Sequence, residues 1–138
     1  GGICLTIMVT QPDLVKAFVL FAPVSADVRD NFYRWDVKRV DLAEKIARTY
    51  GRPEENPKFW DDISPMTFLS NIKTPILLHH GTRDASCPLG WSERLADSLT
   101  AHGKQISFYE YPYEKHEFID RWPLVMERTA EFFDKYLK

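Results

Sequence analysis

The hydrophobic positions of this chain fall into short continuous runs separated by segments with a helical period. Residues 17–22 form one unbroken apolar stretch, residues 76–80 begin a second, and residues 105–111 form a third that is rich in aromatic side chains. Runs of this length are typical of parallel strands that are covered on both faces. The pattern therefore predicts three strands, over about residues 15–24, 76–80 and 105–111.

Between these runs the apolar residues recur every three or four positions. Trp91, Leu95 and Leu99 share one face of a predicted helix over 88–103 that stops at a glycine, and a long amphipathic helix is predicted over 120–137. A buried helix is expected over 3–11. Strands that alternate with helices predict an α/β fold with a mostly parallel sheet of about three strands, flanked by helices.

Residues 26–62 interrupt this alternation. They are charged and aromatic, and they contain a helical patch at 41–50 that ends at Gly51. We interpret this segment as a cap-like insertion rather than a second domain. The Ser64-Pro65 pair that follows it predicts a helix N-cap with proline at the first helical position.

Composition and charge narrow the class of protein. Among 138 residues, 44% are hydrophobic and the net charge is −2, which indicates a globular domain without a basic surface for nucleic acid or an anionic membrane. No apolar run approaches the roughly 20 residues that a membrane span requires. Cys4 and Cys87 have no metal-ligand spacing, and two reduced thiols favour a cytoplasmic location.

Two residues with catalytic chemistry follow predicted strands. Asp84 comes shortly after the second strand and its terminal Gly81, and His116 comes after the third strand. Open α/β sheets place their sites at the carboxyl ends of the strands. An acid followed by a histidine is the order in which α/β-hydrolases supply the last two members of a Ser-Asp-His triad. We predict that Asp84 orients His116 and that His116 acts as the general base.

The nucleophile of such a triad should precede both residues. Gly1-Gly2 fits the end of a Gly-x-Ser-x-Gly-Gly elbow, which predicts a serine two positions before Gly1. Ser25 and Ser86 lack flanking glycines, and Cys87 paired with His116 is a weaker alternative. The adjacent His79 and His80 are interpreted as structural residues, and neither a metal nor another cofactor is expected.

The ordered spacing of motifs resembles the second half of the catalytic domain in prolyl-oligopeptidase-type serine peptidases, a group that includes acylaminoacyl and dipeptidyl peptidases. The resemblance implies that residues 1–138 are the C-terminal part of an α/β-hydrolase domain, with the serine and most of the oxyanion hole upstream. This sequence departs from the family pattern at Cys87, where valine is more usual. The motifs that carry it are Gly1-Gly2, Pro12-Asp-Leu-Val-Lys-Ala17, Ala22-Pro-Val-Ser25, Glu54-Glu-Asn-Pro57, Phe59-Trp60, Ser64-Pro65, Ile72-Lys-Thr-Pro75, His80-Gly-Thr-Arg-Asp84, Gly103-Lys104, Tyr111-Pro112 and His116-Glu-Phe118.

The resemblance also implies a substrate class and its pocket. Such enzymes cleave peptide or acyl-amide bonds, and they vary their substrate pocket in the region that corresponds to residues 30–60. The aromatic side chains there are pocket candidates, with packing inside the segment as the alternative for each. These candidates are Phe32, Tyr33, Trp35 and Trp60.

Two other functions stay open at this point. An esterase of the dienelactone-hydrolase type would use the same triad, and a chain without its nucleophile would be a catalytically inactive fragment that serves only in assembly. The first strand is expected to have an unpaired edge. Its partner would be either the upstream part of the same domain or a second copy of this chain.

Overall fold

The computed structural model describes residues 1–138 as a three-stranded parallel sheet with helices on both faces. The strands are β1 (Phe18–Phe21), β2 (Ile76–Gly81) and β3 (Ile106–Tyr111), and they lie in the order β1-β2-β3. Every position of the central strand β2 is buried, as its continuous apolar run predicted. The predicted α/β fold class with a sheet of about three parallel strands is confirmed.

Six α-helices and two short 3₁₀ segments connect and flank the strands. The predicted helices lie within two residues of their observed bounds. β1 is shorter than predicted at both ends, and at its C-terminal end Ala22 takes a positive φ of 38°. None of the helices is both long enough and apolar enough to span a membrane. The helices are α1 (Gly2–Thr10), α2 (Val28–Arg34), α3 (Val40–Tyr50), α4 (Pro57–Asp62), α5 (Leu89–Ala101) and α6 (Trp122–Leu137), and the 3₁₀ segments are Asp36–Lys38 and Pro65–Asn71.

The core lies on both faces of the sheet because successive strand residues point to opposite sides. One face carries a large cluster in which α1 and α5 pack against alternate strand residues such as Leu20 and Leu78. The other face carries a smaller cluster that includes Tyr111 and Val125, with Val125 supplied by α6. Because helices pack on both faces of the sheet, they hold in place the carboxyl ends of β2 and β3, from which the candidate site residues emerge.

Helices α2 to α4 form a separate small cluster around Phe32, Ala43 and Trp60. Ser64 connects the start of this segment to its end, since its hydroxyl accepts from the Val28 amide at 3.0 Å and donates to the Trp60 carbonyl at 2.7 Å. Ser64 occupies the N-cap position of the 3₁₀ segment Pro65–Asn71, with proline at the start of that segment, as predicted, but its hydroxyl makes no cap bond there. The long-range bonds hold residues 26–62 together instead.

His79 occupies the α6 face of β2 as a fully buried side chain. Its ring stacks on Phe21, and Nδ1 lies 2.8 Å from the Tyr111 hydroxyl while Nε2 lies 3.2 Å from the Thr129 hydroxyl. The Thr129 hydroxyl donates its proton to the Val125 carbonyl, so it accepts from Nε2–H of the histidine. Burial, reinforced by the positive charge of Arg128, lowers the pKa of His79 to about 4.

We expect this buried histidine to make folding sensitive to acid. Between the ordinary histidine pKa of 6.5 and the folded value of about 4, the unfolded chain binds the proton and the folded chain does not. The free energy of unfolding should therefore fall as pH drops through that window, by up to about 3 kcal/mol from this group. Urea unfolding at several pH values measures it, and His79→Gln, which cannot titrate, should remove this contribution. An equal slope in both proteins would contradict the expectation.

Candidate active site

Asp84 sits in a tight loop directly after β2, and its side chain is fully buried. One carboxylate oxygen, Oδ1, accepts hydrogen bonds from the backbone amides of Ser86 at 2.8 Å and Cys87 at 2.9 Å. The Asp84 amide in turn donates to the Gly81 carbonyl at 3.2 Å. The local chain thus holds one carboxylate oxygen with its own backbone and leaves Oδ2 free for another partner.

That partner is His116, which lies in the loop after β3. Its Nδ1 is 2.7 Å from Asp84 Oδ2, a hydrogen-bond distance, and 39% of its side chain is exposed. A carboxylate can only accept, so Nδ1 carries the proton of this bond and a neutral ring leaves Nε2 as a proton acceptor. The structure therefore brings together the two residues that the sequence singled out. The Nδ1 side of the imidazole faces the acid, and the rest of the side chain is partly open to solvent.

The loop that carries His116 is held in an unusual backbone conformation. Tyr113 and Phe118 take positive φ angles of 68° and 55°, a region that residues other than glycine seldom occupy. Bonds to the preceding loop support this conformation, because the Arg83 amide donates to the Glu114 carbonyl and the Tyr113 amide donates to the Thr82 hydroxyl. The loops after β2 and β3 are therefore tied to each other by backbone bonds as well as by the acid–histidine pair.

Gly81 allows these two loops to approach. A Cβ atom built at this position would lie 2.5 Å from the Lys115 carbonyl oxygen and closer still to that of Glu114. Real Cβ atoms do not approach oxygen so closely, so only glycine fits unless the backbone moves. Gly81 thus ends the strand and also permits the close contact with residues 114 and 115.

A shallow cavity of about 260 Å³ lies in front of His116. Its walls come from both loops and are mostly polar or charged, which leaves room for a ligand beside the exposed edge of the imidazole. The lining residues are Arg83, Ala85, Ser86, Lys115, His116 and Glu117.

The four aromatic pocket candidates lie elsewhere. Phe32 and Trp60 are 0% and 2% exposed, and their rings pack against each other with centroids 4.9 Å apart. Trp35 packs edge-on against Trp91 of α5, with ring centroids 5.4 Å apart, and Tyr33 is 44% exposed with its hydroxyl bonded to Glu54. None of the four forms a hydrogen bond or ring contact with Asp84 or His116, which favours the packing interpretation for Phe32 and Trp60.

Two contacts at the Asp84 loop were missed by sequence reasoning. Arg34 of α2 donates to the Ala85 carbonyl, so the segment 26–62 reaches the loop through a cation rather than an aromatic ring. His80, assigned only a structural role, places Nε2 3.4 Å from Asp84 Oδ2. The adjacent histidines at the end of β2 were the available signal, since alternation along a strand directs one of them to each face.

Two alternative nucleophiles inside the chain, Ser25 and Cys87, are engaged or buried, whereas Ser86 is exposed and lines the cavity in front of His116. The Ser25 hydroxyl donates to Asp30 at 2.5 Å and accepts from Arg94. Cys87 is 4% exposed, and burial, together with the charge of Asp84, raises the pKa of its thiol. A thiol held in its protonated form is a weak nucleophile. No group of three histidine, cysteine or acidic residues is arranged to hold a metal ion.

The profile of the prolyl oligopeptidase family matches residues 1–138. The chain belongs to the prolyl oligopeptidase family. The resemblance found in the sequence motifs is thereby confirmed. An uncharacterized peptidase of Bacillus subtilis (strain 168), YuxL, is 36% identical over 63 residues, which cover 46% of this chain and 9% of that relative.

Solved structures share the fold of this prolyl oligopeptidase family member. The uncomplexed acylaminoacyl peptidase of Pyrococcus horikoshii superposes with a TM-score of 0.72 at 25% identity, over 99% of this chain and 22% of that one. A butyrate-bound esterase of Thermogutta terrifontis has a TM-score of 0.61 at 20% identity, over 88% of this chain and 44% of that one. The chain thus spans less than half the length of each of these relatives.

Proposed function

We propose that this chain supplies the acid and the base of a serine peptidase that cleaves peptide or acyl-amide bonds. Membership of the prolyl oligopeptidase family supports a hydrolase in general terms. The observation that carries the finer proposal is the 2.7 Å bond between Asp84 Oδ2 and His116 Nδ1, formed by loops at the carboxyl ends of neighbouring parallel strands.

In this mechanism the residues have distinct tasks. His116 Nε2 takes the proton of a serine hydroxyl as the oxygen attacks the substrate carbonyl, and the imidazolium then returns that proton to the leaving amine. The acyl-serine ester is cleaved by water through the same base. Asp84 remains ionised throughout, keeps the proton on Nδ1, and stabilises the positive charge of the imidazolium.

We place the serine N-terminal to Gly1, where the elbow motif requires it. One observation supports this placement. A Cβ atom at Gly1 would lie 2.8 Å from Cα of Pro23, so the start of α1 packs directly against the chain that leaves β1. Residues preceding Gly1 would therefore lie near the carboxyl end of β1, at the edge of the sheet from which Asp84 and His116 emerge.

The substrate class is tested with matched acyl groups. A polypeptide that contains this chain and the upstream serine should hydrolyse an N-acyl peptide anilide as well as the activated ester of the same acyl group, and a serine-directed phosphonate should block both reactions. The 138-residue chain alone should hydrolyse neither. Turnover of the ester only would favour an esterase of the dienelactone-hydrolase type, and turnover by the short chain would contradict the assigned nucleophile.

We further propose that the free edge of β1 receives another strand, either from upstream in the same protein or from a second copy. β1 pairs only with β2, and Phe18 and Ala22 direct their amides toward β2. Alternation therefore directs the amides of Val19 and Phe21 to the open side. Such an edge is a template for pairing with another chain.

This edge predicts self-association of the 138-residue chain. Light scattering at tens of micromolar should show a dimer, and Val19→Pro, which removes an outward amide but no bond to β2, should shift it toward the monomer. Leu20→Pro is the matched control, because its amide faces β2 and its loss should unfold the protein. A stable, folded wild-type monomer would be the contrary result.

A further inference from the structure

The Asp84 carboxylate has a second imidazole beside it that the proposed triad does not use. His80 is completely buried at the end of β2, and its Nε2 lies 3.4 Å from the same Oδ2 atom that bonds His116. An ionised carboxylate offers about four lone-pair directions. Two backbone amides face Oδ1, His116 faces Oδ2, and His80 covers the remaining side.

The hydrogen bonds of His80 define its tautomer. Nε2 lies 2.9 Å from the Cys87 carbonyl oxygen, which can only accept, so Nε2 carries a proton. Burial lowers the pKa of His80 and keeps the ring neutral, so Nδ1 is an acceptor. The buried Ser92 hydroxyl, 2.7 Å from Nδ1, donates to it. Ser92 thus ensures that the proton of His80 points toward Cys87 and Asp84.

These bonds hold the loop at two residues, Asp84 and Cys87. The Nε2–H group of His80 holds the Cys87 carbonyl and faces Asp84 Oδ2, while the Cys87 amide holds Asp84 Oδ1. Rotation of the carboxylate would break the amide bonds to Oδ1 and move Oδ2 away from the N–H dipole of His80. The contacts of His80 therefore hold the Asp84 carboxylate in the orientation that directs a lone pair of Oδ2 toward His116.

We propose that His80 is a positioning residue, which orients the Asp84 carboxylate toward His116 and whose own tautomer is set by Ser92. The structural part of this inference stands on the contacts of His80, and its consequence for turnover rests on the proposed function. His79 provides the matched control. It is the neighbouring residue, equally buried and bonded at both ring nitrogens, but it faces α6 and does not touch Asp84.

The first test needs no catalytic activity. Long-range ¹H–¹⁵N spectra of the 138-residue chain, recorded where the rings are neutral, distinguish the two tautomers of each histidine. We expect His116 protonated at Nδ1 and His80 at Nε2. His80→Leu and Ser92→Ala should shift His116 toward a mixture of tautomers, whereas His79→Leu should not. His80→Gln, whose amide can still donate to the loop, should retain the Nδ1–H form.

The second test measures turnover in a polypeptide that also contains the upstream serine. His80→Leu should lower kcat by about 10- to 100-fold with little change in KM, the scale expected for a small misplacement of a catalytic group. Ser92→Ala should have a smaller effect, and His80→Gln should recover most of the loss.

These two tests separate the inference from the proposed function. An unchanged His116 tautomer in both His80→Leu and Ser92→Ala overturns the positioning role, even if Asp84 and His116 prove essential for turnover. A His116 tautomer that depends on His80, combined with no hydrolase activity in the polypeptide that also contains the upstream serine, would support the structural inference and reject the proposed function.

Discussion

Replacing His116 with alanine, in a polypeptide that also supplies the serine, should abolish acyl transfer and leave the fold intact. The side chain belongs to none of the core clusters, is 39% exposed, and makes its hydrogen bond only to Asp84. Its loss therefore removes the base but little packing. We expect kcat to fall by roughly 10⁴-fold or more, with the thermal unfolding midpoint nearly unchanged.

Asp84→Asn should give a second large loss of activity. An asparagine amide can present its NH₂ group to His116 and so favour the tautomer with its proton on Nε2, which cannot act as the base. In a chymotrypsin-type enzyme the equivalent change lowers kcat by about 10⁴-fold, and we expect a loss of similar scale here. Steady-state kinetics with a peptide anilide measure both variants.

Two surface residues provide matched controls for these substitutions. His102→Ala removes an exposed histidine at the end of α5, and Asp97→Asn neutralises an exposed carboxylate on the same helix. Both control proteins should retain wild-type kcat. Near-normal turnover in His116→Ala or Asp84→Asn would refute the role assigned to that residue.

Gly81→Ala should damage both stability and activity, because the new methyl group would collide with the backbone that carries His116. The Glu114 and Lys115 carbonyl oxygens are backbone atoms tied into the loop, so they cannot rotate away as a flexible side chain would. Overpacking of this kind costs about 1–3 kcal/mol. We expect the urea midpoint to fall and kcat to fall with it as the loop is displaced.

Gly90→Ala is the control for this substitution. Gly90 lies in the first turn of α5, and a Cβ atom there would meet only the Glu93 carboxylate at 3.7 Å, an ordinary contact. Replacing a helical glycine with alanine should raise stability by about 0.5–1 kcal/mol. The two glycine substitutions should thus change stability in opposite directions, and a harmless Gly81→Ala would show that the loops are not in tight contact.

The positions of Asp84 and His116 could be predicted because they depend on topology. Parallel strands place their carboxyl ends at one edge of the sheet, so residues that follow β2 and β3 must lie close together. The short apolar runs identified the strands, and the glycine and proline signals marked where they ended. The order of the predicted strands along the chain was therefore enough to place the acid and the histidine at the same edge of the sheet.

The roles of the aromatic residues in segment 26–62 could not be predicted in the same way. A phenylalanine buried in a core and a phenylalanine that lines a pocket look the same in the sequence. Only the direction of the side chain in the folded chain distinguishes the two. Phe32 and Trp60 point into their own cluster, whereas Arg34 between the aromatics reaches the Asp84 loop. The hydrogen-bond partners of the Ser64 and His80 side chains could not be predicted, because those partners are remote in sequence or depend on the conformation of a loop.

The contact between Arg34 and the Ala85 carbonyl also bears on efforts to change specificity by exchanging segments between homologues. A transplant of residues 26–62 would replace the cation that holds the loop beside the acid, and it would remove Trp35 from its packing against Trp91. The position of the Asp84 loop would then change in the chimera together with whatever the transplanted segment itself contributes. Crossover points that retain Arg34 and Trp35 from the recipient, and exchange only the chain beyond them, would keep these two effects separable.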